Sequence, residues 1–569
     1  MRTAILALVL LFGASSLAAQ SQYPITTLVL EGDPVAGVGN VTRVDNLHVN
    51  DIGSWVAELD TDNADTDADG VVLENGALYL RENQALGLPV GSTLDSFDAL
   101  GIDSFDDCVH NFFLDGTTGS SDDSGVYFNT SLMIQESDIS IAPELSAGTP
   151  YIGFFEVKGN DVAQMLIMAS VDDPAISSGV DRALILADHG GLGSVFAERA
   201  IAREGQVLPG QVDAVTDFDT GPHNFAFTNA GSAMFVADLA GSTAFNTAIY
   251  VEDGGAYTLV AQKGTASSVS PTRDWSSLAS SKVDLKDGEA CDGASEICDL
   301  AGLQQWVYTG SLTGDSTTNS IIVKGTHHGQ FKLVQEGDSL SGMGGFKITS
   351  FGSGPVYLGA NGNVLYYADW DDTDTTKDTG LFLNGQLIVQ EGVTLIGGVA
   401  IDNLRGIQDG YALSDNGRYI VFEAELAGGL EGVFQIDTGA AWENLDDWLS
   451  PTPVAAVEPG AAVTALGIGT LVPFSPITLT IANATPSTAA TLVASPFLLD
   501  ASFKGGVMVP FPTLLLGLGV TTSDGSLTLP ALWPGGVPSG VTFFMQWWMP
   551  DPLGPSGFVA SNGLAATTP

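Results

Sequence analysis

The stretch KLVQEGD, residues 332–338, decides the fold because similar stretches recur along the chain. Each copy is a short run of leucine or β-branched residues that ends in a polar turn, usually acidic and with glycine. This pattern predicts a strand followed by a reversal. The equivalent turn positions are Glu31, Glu82, Glu136, Glu204, Gln262, Glu336 and Glu391. Seven copies spread along the chain in this way indicate an array of similar supersecondary units.

Between the copies, turn signals separate short alternating apolar runs, such as ANGNVLYYADW from Ala360. This order gives about four strands per repeat and hardly any helical periodicity. Such a unit cannot bury both of its faces alone, so the repeats predict an all-β fold, a seven-bladed β-propeller over residues 20–438. One strand, 26–30, precedes the first full repeat, and the last repeat ends at Asp437 without one. We therefore expect the N-terminal strand to close the seventh blade, with two stacked sandwiches as the alternative.

Several turns share a short motif. Asn50 and Gly53 occupy it in NDIGS, Asn229 and Gly231 in TNAGS, and Asn416-Gly417 leads to Phe422. These residues resemble the NxxGxxAF tandem-repeat family of exported bacterial proteins. The resemblance implies a propeller-like fold and brings no established activity.

Beyond the repeats the composition changes. Residues 439–460 are acidic and then proline-containing, which predicts a linker. Residues 461–569 carry few charges, and their alternating runs lie between Pro and Gly turns, which predicts a small β-sandwich. Trp547 and Trp548 suit either docking to a surface or packing inside this module.

Charge and cysteine usage limit the compartment and the partners. Lys+Arg 18 against Asp+Glu 67 gives a net charge of −49, which repels nucleic acid and anionic lipid. Residues 1–19 have a positive start, a short apolar run and small residues at the end, which predicts a signal peptide and a secreted or cell-envelope protein. No later run is long enough for a membrane span. Cys291 and Cys298 are close enough for a local disulfide, and Cys108 is expected to be a buried apolar residue.

The four letters GDSL at 337–340 resemble a hydrolase motif with a nucleophilic serine. However, Asp338-Ser339 occupies the position of Asp33-Pro34 in the first copy, so its letters vary within one repeated turn. No histidine follows Ser339, although a triad could draw one from upstream. We therefore interpret GDSL as a repeat turn.

The run DTDNADTDADG, residues 60–70, is the strongest candidate for a metal site. Oxygen ligands at alternating positions suit Ca²⁺. An EF-hand is not supported, because the twelfth position counted from Asp65 is Gly76 and not the bidentate glutamate that such a loop requires. The candidate ligands are Asp60, Asp62, Asp65, Asp67 and Asp69. A solvated acidic loop is the competing interpretation.

Three histidines, His48, His110 and His223, precede comparable strand-leading turns and could share a central channel. Structural histidines at strand ends are the commoner case. The leading expectation is an exported, non-enzymatic and monomeric propeller that binds a glycan or a cell-surface protein, stabilised by calcium. The alternative is a carbohydrate-active enzyme, a glycosidase or polysaccharide lyase, that uses the channel.

Overall fold

The computed structural model describes residues 23–176, 181–191, 193–287, 304–326, 329–340, 342–438, 442–445 (backbone), 463–469, 471, 473–538 and 541–568. Within these ranges the chain is all-β, with a single 3-10 turn at Pro555–Gly557. None of its helices is long and apolar enough to cross a membrane, among the residues described. The predicted signal peptide and Cys291, Cys298, His327 and His328 lie outside these residues.

The first strand, β1 (Ile25–Leu30), pairs with a strand near the end of the repeat region. The strands that follow β1 form a series of antiparallel sheets, each built from consecutive strands. Sheet 1 contains β2 (Pro34–Val35), β3 (Gly39–Val49), β4 (Trp55–Thr61), β5 (Gly70–Glu74) and β6 (Ala77–Arg81). Sheet 2 contains β7 (Thr93–Ile102), β8 (Cys108–Asp115), β9 (Ser124–Phe128) and β10 (Ser131–Gln135). Sheet 3 contains β11 (Tyr151–Gly159), β12 (Gln164–Val171), β13 (Asp181–Asp188) and β14 (Ala197–Arg203).

The next three sheets share one plan, in which two short strands pair one after the other with successive segments of the same neighbouring strand. Sheet 4 contains β15 (Val215–Phe218), β16 (Phe225–Phe227), β17 (Ala233–Leu239), β18 (Thr247–Asp253) and β19 (Ala256–Gln262). Sheet 5 contains β20 (Trp275–Ser277), β21 (Val283–Asp287), β22 (Gln304–Leu312), β23 (Ser320–Thr326) and β24 (Gly329–Gln335). Sheet 6 contains β25 (Ile348–Ser350), β26 (Val356–Leu358), β27 (Val364–Trp370), β28 (Thr379–Leu383) and β29 (Gln386–Gln390).

Sheet 7 joins the two ends of the repeat region. It contains β30 (Leu395–Ile396), β31 (Val399–Leu404), β32 (Tyr411–Leu413), β33 (Tyr419–Leu426), β34 (Leu430–Asp437) and the N-terminal β1. Strand β1 runs antiparallel to β34, with Val29 opposite Val433 and Ile25 opposite Ile436. The expected pairing of the N-terminal strand with the last repeat is therefore present.

Buried apolar side chains join each sheet to the next. Seven clusters span sheets 1 and 2, 2 and 3, 3 and 4, 4 and 5, 5 and 6, 6 and 7, and finally 7 and 1. In the last of these, Val29 of β1 and Val433 of β34 pack with Val44 and Leu59 of sheet 1. Each sheet thus buries both faces against its neighbours, which a single four-stranded sheet could not do.

The repeated turn connects consecutive sheets by hydrogen bonds. Its first amide donates to a carbonyl of its own sheet, as Glu336 does to Ser320. Its second amide donates to a carbonyl on one of the first strands of the next sheet, as Gly337 does to Ile348. The second residue always has positive φ, from +61° at Asn83 to +88° at Gly337, which explains its frequent glycine. The amide pairs are Glu31/Gly32, Glu82/Asn83, Glu136/Ser137, Glu204/Gly205, Lys263/Gly264, Glu336/Gly337 and Glu391/Gly392. The fifth equivalent position is therefore Lys263, one residue beyond the predicted Gln262.

The acidic side chain of this turn has a structural role. Oε2 of Glu336 accepts from the amides of Asn319 and Ser320, and Oε2 of Glu82 accepts from that of Gly70, at the start of a neighbouring strand. In the fifth copy, Lys263 instead donates to Oδ1 of Asn246 at 3.1 Å. The recurring glutamate therefore stabilises strand starts.

The remaining strands form three further sheets, of six, three and two strands. They are β35 (Trp442–Leu445), β36 (Thr464–Ile468), β37 (Pro476–Ala482), β38 (Ala489–Ser495), β39 (Leu498–Phe503), β40 (Gly506–Pro510), β41 (Leu514–Val520), β42 (Leu527–Leu532), β43 (Thr542–Pro550), β44 (Phe558–Ala560) and β45 (Gly563–Thr567). The sheet β36-β37-β42 packs against the larger sheet around β43 through one apolar cluster. Trp547 (0% exposed) and Trp548 (6%) are both buried, so packing accounts for them.

Candidate functional site

A cavity of about 720 Å³ lies where the sheets meet, and every one of sheets 1–7 contributes to its lining. This volume is typical of a ligand site. Most of the contributing residues lie on the innermost strands or on the loops that join them, and a few come from second or outer strands of sheets 2 and 3. One lining residue from each sheet, in order, is His48, Asp98, Glu156, His223, Lys286, Tyr357 and Asp409.

The lining is acidic. Ten carboxyl side chains and two lysines belong to it among the described residues. The carboxyl groups are Asp51, Asp98, Asp103, Asp123, Glu136, Glu156, Asp161, Asp284, Asp409 and Asp415, and the lysines are Lys158 and Lys286. No arginine lines the cavity within the same set of residues.

Glu156 is the most strongly perturbed of these acids for which a value is resolved. It lies on β11 and is only 8% exposed, and burial raises its pKa to about 8. The nearby Lys158 ammonium opposes this shift, whereas the carboxylates of Asp409 and Asp98 add to it. Glu156 is therefore protonated at neutral pH, beside carboxylates that come from two other sheets.

Neighbouring groups hold the two carboxylates near Glu156. Oδ1 of Asp409 lies 3.3 Å from Nε2 of His223, and Oδ2 of Asp98 accepts from Nδ2 of Asn111 at 2.6 Å. Burial lowers the pKa of His223 to about 4, so its neutral ring can donate Nε2–H to Asp409. The ring of Tyr357 contacts His223 edge-on at a centroid distance of 5.5 Å and restricts its orientation.

A second group of charges involves β21 and the turn after β32. Nζ of Lys286 lies 2.6 Å from Oδ1 of Asp415 and 3.6 Å from Oδ1 of Asp284. Burial would raise the pKa of Asp415, but Lys286 outweighs it and holds that pKa below its usual value. The Asp415 side chain is 54% exposed because it faces the open cavity. The cavity thus contains one carboxyl group kept protonated and another kept ionised.

His48 and His223 line the cavity as predicted, but His110 does not. Nδ1 of His48 accepts from the amide of Ile102 at 3.4 Å, and burial lowers the pKa of His48 to about 4. The expectation that His110 joins them is wrong because His110 lies on β8, the second strand of its sheet. Its ring is fully buried, 3.4 Å from the hydroxyl of Tyr79 and stacked on Phe112.

The charged residues on the innermost strands were not identified from the sequence. A signal existed, since Glu156 and Lys158 interrupt the apolar FFEVKG, and Asp284 and Lys286 interrupt VDLKD. Charges that alternate with apolar residues on a strand predict one buried and one polar face.

The predicted calcium ligands lie on the outer hairpin between β4 and β5, away from the cavity. Both carboxylate oxygens of Asp62 are bonded to Asn40, at 2.6 and 2.8 Å, and Asp60 lies 3.8 Å from Arg43. Among the described residues, no three His, Cys, Asp or Glu side chains are grouped to hold a metal ion. Calcium binding by Asp60, Asp62, Asp65, Asp67 and Asp69 stays a prediction. Cys108 is buried and unpaired, as expected.

Residues 337–340 lie in the repeated turn after β24, as predicted. Both oxygens of Asp338 are 3.1 Å from Nζ of Lys332, and Oδ2 also accepts from the amide of Gln335. Asp33 and Asp138 cap the last strand residues in the same way in two other copies. Asp338 is therefore a structural residue of the repeat.

We expect Asp338→Ala to lower the free energy of unfolding by about 3 kcal/mol, because it leaves the buried Lys332 ammonium unpaired. Ser339→Ala, next to it, should change that free energy by less than about 0.5 kcal/mol. Urea unfolding of both variants measures the difference. Equal effects would contradict the structural role of Asp338.

Glu58 on β4 makes stability depend on pH. Burial raises its pKa to about 8, and four surrounding acids add to this shift: Asp45, Asp60, Glu82 and Asp98. The pKa of Glu58 is higher in the folded state than in the unfolded state, so proton binding at Glu58 stabilises the fold. This stabilisation is complete at low pH and is lost as the pH rises through about 8.

Glu58→Gln should therefore raise the free energy of unfolding at pH 8.5 by about 1–2 kcal/mol, after allowance for partial solvent screening. At pH 4.5 the same substitution should have little effect. Asp402→Asn, which removes an exposed carboxylate, is the control and should show no such pH dependence. Thermal unfolding at both pH values tests this, and a gain at pH 4.5 equal to that at pH 8.5 would contradict it.

Comparison with known proteins gives a family and distant structural likenesses. No curated protein matches the chain. The solved structures that it resembles include a subtype N11 neuraminidase-like protein of A/flat-faced bat/Peru/033/2010 (H18N11), at 11% identity and a TM-score of 0.28, over 73% of this chain and 98% of that one. The Trypanosoma rangeli sialidase in complex with the inhibitor DANA has 10% identity and a TM-score of 0.28, over 97% and 95%. A glycoside hydrolase family 32 protein from Bifidobacterium adolescentis has 8% identity and a TM-score of 0.18, over 94% and 80%.

The expectation of a non-enzymatic binding or structural protein is wrong. A channel plugged by apolar or small residues was expected of such a scaffold, whereas the cavity is open and lined by acid and base groups. A sequence model of DUF7453, a family of unknown function, matches residues 12–296, half of the 569 residues. The chain therefore belongs to the DUF7453 family.

Proposed function

We propose that sheets 1–7 are the blades of a closed β-propeller, followed by a small β-sandwich. Three observations support the ring: the seven apolar clusters in cyclic order, the hydrogen bonds from each turn to the next sheet, and the pairing of β1 with β34. In this arrangement the cavity is the central channel, and the innermost strands face it.

We propose that the protein is a glycoside hydrolase and that this channel is its active site. The observation that carries the proposal is Glu156, a carboxyl group with its pKa raised to about 8 beside the carboxylates of Asp409 and Asp98. Glycoside hydrolysis needs a protonated acid and an ionised carboxylate on the two sides of one bond. Few other reactions need that pair in an acidic cavity.

Each residue then has a defined step. Glu156 donates its proton to the glycosidic oxygen as the bond between that oxygen and the anomeric carbon breaks. Asp409, oriented by His223, removes a proton from the water that attacks the anomeric carbon, or attacks that carbon itself. In the second case water, activated by the now deprotonated Glu156, cleaves the glycosyl ester and releases Asp409. The positive charge that develops on the sugar ring is stabilised by the surrounding carboxylates.

A polysaccharide lyase fits the cavity less well. Lyases remove a proton next to the carboxylate of a uronic acid, and a guanidinium is the side chain best suited to hold that carboxylate. Among the described lining residues there is no arginine, and Lys158 and Lys286 are both close to carboxylates. Hydrolysis is therefore the reaction that we infer.

A panel of aryl glycosides and plain oligosaccharides tests the proposal on the full-length exported protein. We expect release of reducing sugar from at least one substrate class, and nuclear magnetic resonance of the first product shows which anomer forms. Ser339→Ala should keep full activity, because GDSL lies in a repeat turn outside the cavity. Absence of turnover on the whole panel, or turnover that depends on Ser339, would contradict it.

A further inference from the structure

The cavity is also lined by carboxylates other than those near Glu156. Carboxylates from sheets 1, 2, 3 and 7 lie there: Asp51, Asp103, Asp161 and Asp415. Asp51 is close enough to Asp415 and Asp161 for each to raise its pKa, and Asp161 has the same effect on Asp103. The cavity is thus acidic beyond the immediate neighbours of the acid of the reaction.

The cations of the cavity do not offset this charge. Lys286 is engaged by Asp415 at 2.6 Å and by Asp284 at 3.6 Å. Lys158 interacts with the carboxylates of Asp284 and Asp409 as well as with Glu156, and burial lowers its pKa. The two lining histidines are neutral above about pH 5, because burial lowers both of their pKa values to about 4.

An anionic sugar would therefore meet fixed negative charge, and both lysines among the described lining residues already have carboxylate neighbours. A carboxylate inside a cavity of low dielectric is repelled strongly by like charges, and removing it from water adds a further cost. Guanidinium groups usually solve this problem, but the arginines of the described chain do not line the cavity. The outer surface adds to the repulsion, since the net charge is −49.

We propose that the channel takes uncharged sugar residues and excludes sugars that carry a carboxylate. This inference rests on the proposed hydrolase function and names its substrate class. It separates the protein from enzymes that act on sialic or uronic acids. Uncharged hydroxyl groups can instead donate hydrogen bonds to the carboxylates that line the cavity.

Matched sugars that differ only at one carbon test the inference. Glucosides and glucuronides, and galactosides and galacturonides, exchange a hydroxymethyl group for a carboxylate on the same ring. Their affinities for full-length Glu156→Gln, which should bind without turnover, are measured by calorimetry in low salt. We expect the better uncharged sugar to bind at least about 30-fold more tightly than its acid partner. This ratio of the two affinities should fall in 0.5 M salt, which screens the repulsion.

The double substitution Asp51→Asn/Asp161→Asn should reduce that ratio at least about fivefold, by removing two repelling charges. Asp172→Asn, an exposed carboxylate outside the cavity, makes the same change and should leave the ratio unaltered. Equal or tighter binding of the acid sugars would overturn the inference and leave the hydrolase proposal standing. Failure of every sugar to bind or react would overturn both.

Discussion

Glu156→Gln is expected to lower kcat on an unactivated glycoside by a factor between about 10² and 10⁴, because general acid catalysis typically contributes that much. The loss should be smaller on an aryl glycoside with a good leaving group, which needs less protonation. The wild-type kcat/KM should be high below about pH 8 and fall as the pH rises through that value, since the protonated form of Glu156 is the active one. The variant should lack this basic limb.

The matched control is Glu74→Gln, the same chemical change at the end of β5, outside the cavity. It should keep the wild-type rate and pH profile. The histidines that line the cavity cannot supply the basic limb, because their pKa values are about 4. A Glu156→Gln enzyme with wild-type kcat on unactivated substrates would remove Glu156 from the mechanism.

Val29→Asp is expected to lower the free energy of unfolding by more than about 4 kcal/mol. Val29 is 4% exposed, lies opposite Val433 and packs in the cluster that joins sheets 7 and 1. A carboxylate there would be buried without a partner and would separate β1 from β34. The loss should therefore affect the whole repeat region and not only one edge.

Thr26→Asp on the same strand is the control. Thr26 is exposed opposite Gln435, so an added charge stays in water and should change stability by less than about 0.5 kcal/mol. Urea unfolding followed by tryptophan fluorescence compares the two variants. Similar midpoints for both would show that β1 does not hold the two ends together.

Much of the fold follows from the sequence because one turn recurs with its chemistry intact. The run before Glu336 predicts an edge strand, and β24 ends at Gln335 as expected. The fifth copy was misplaced by one residue because the equivalent position carries Lys263, whose ammonium bonds to Asn246 where other copies use a carboxylate. A side chain of opposite charge fills the same position, and composition alone does not reveal this.

The candidate site was harder to predict, because it depends on which strand is innermost and on register. The Asp-x-x-His pattern occurs at both His48 and His110, yet one lies on an innermost strand and the other on a second strand. The register of β11 also shifts between Phe154 and Glu156, so simple alternation does not fix which side chains face the cavity. The lining groups come from segments of seven sheets that lie far apart in the sequence and meet only in the folded chain.

The pairing of β1 with β34 also sets the order in which the protein can fold. Ile25–Leu30 is synthesised first, but its partner strand follows about 400 residues later. Sheets 1 to 6 can form as they emerge, whereas β1 must wait with an unpaired apolar edge until Leu430–Asp437 is available. Contacts across such a long separation form slowly. We therefore expect this interval to be the stage of synthesis at which the chain is most prone to aggregate.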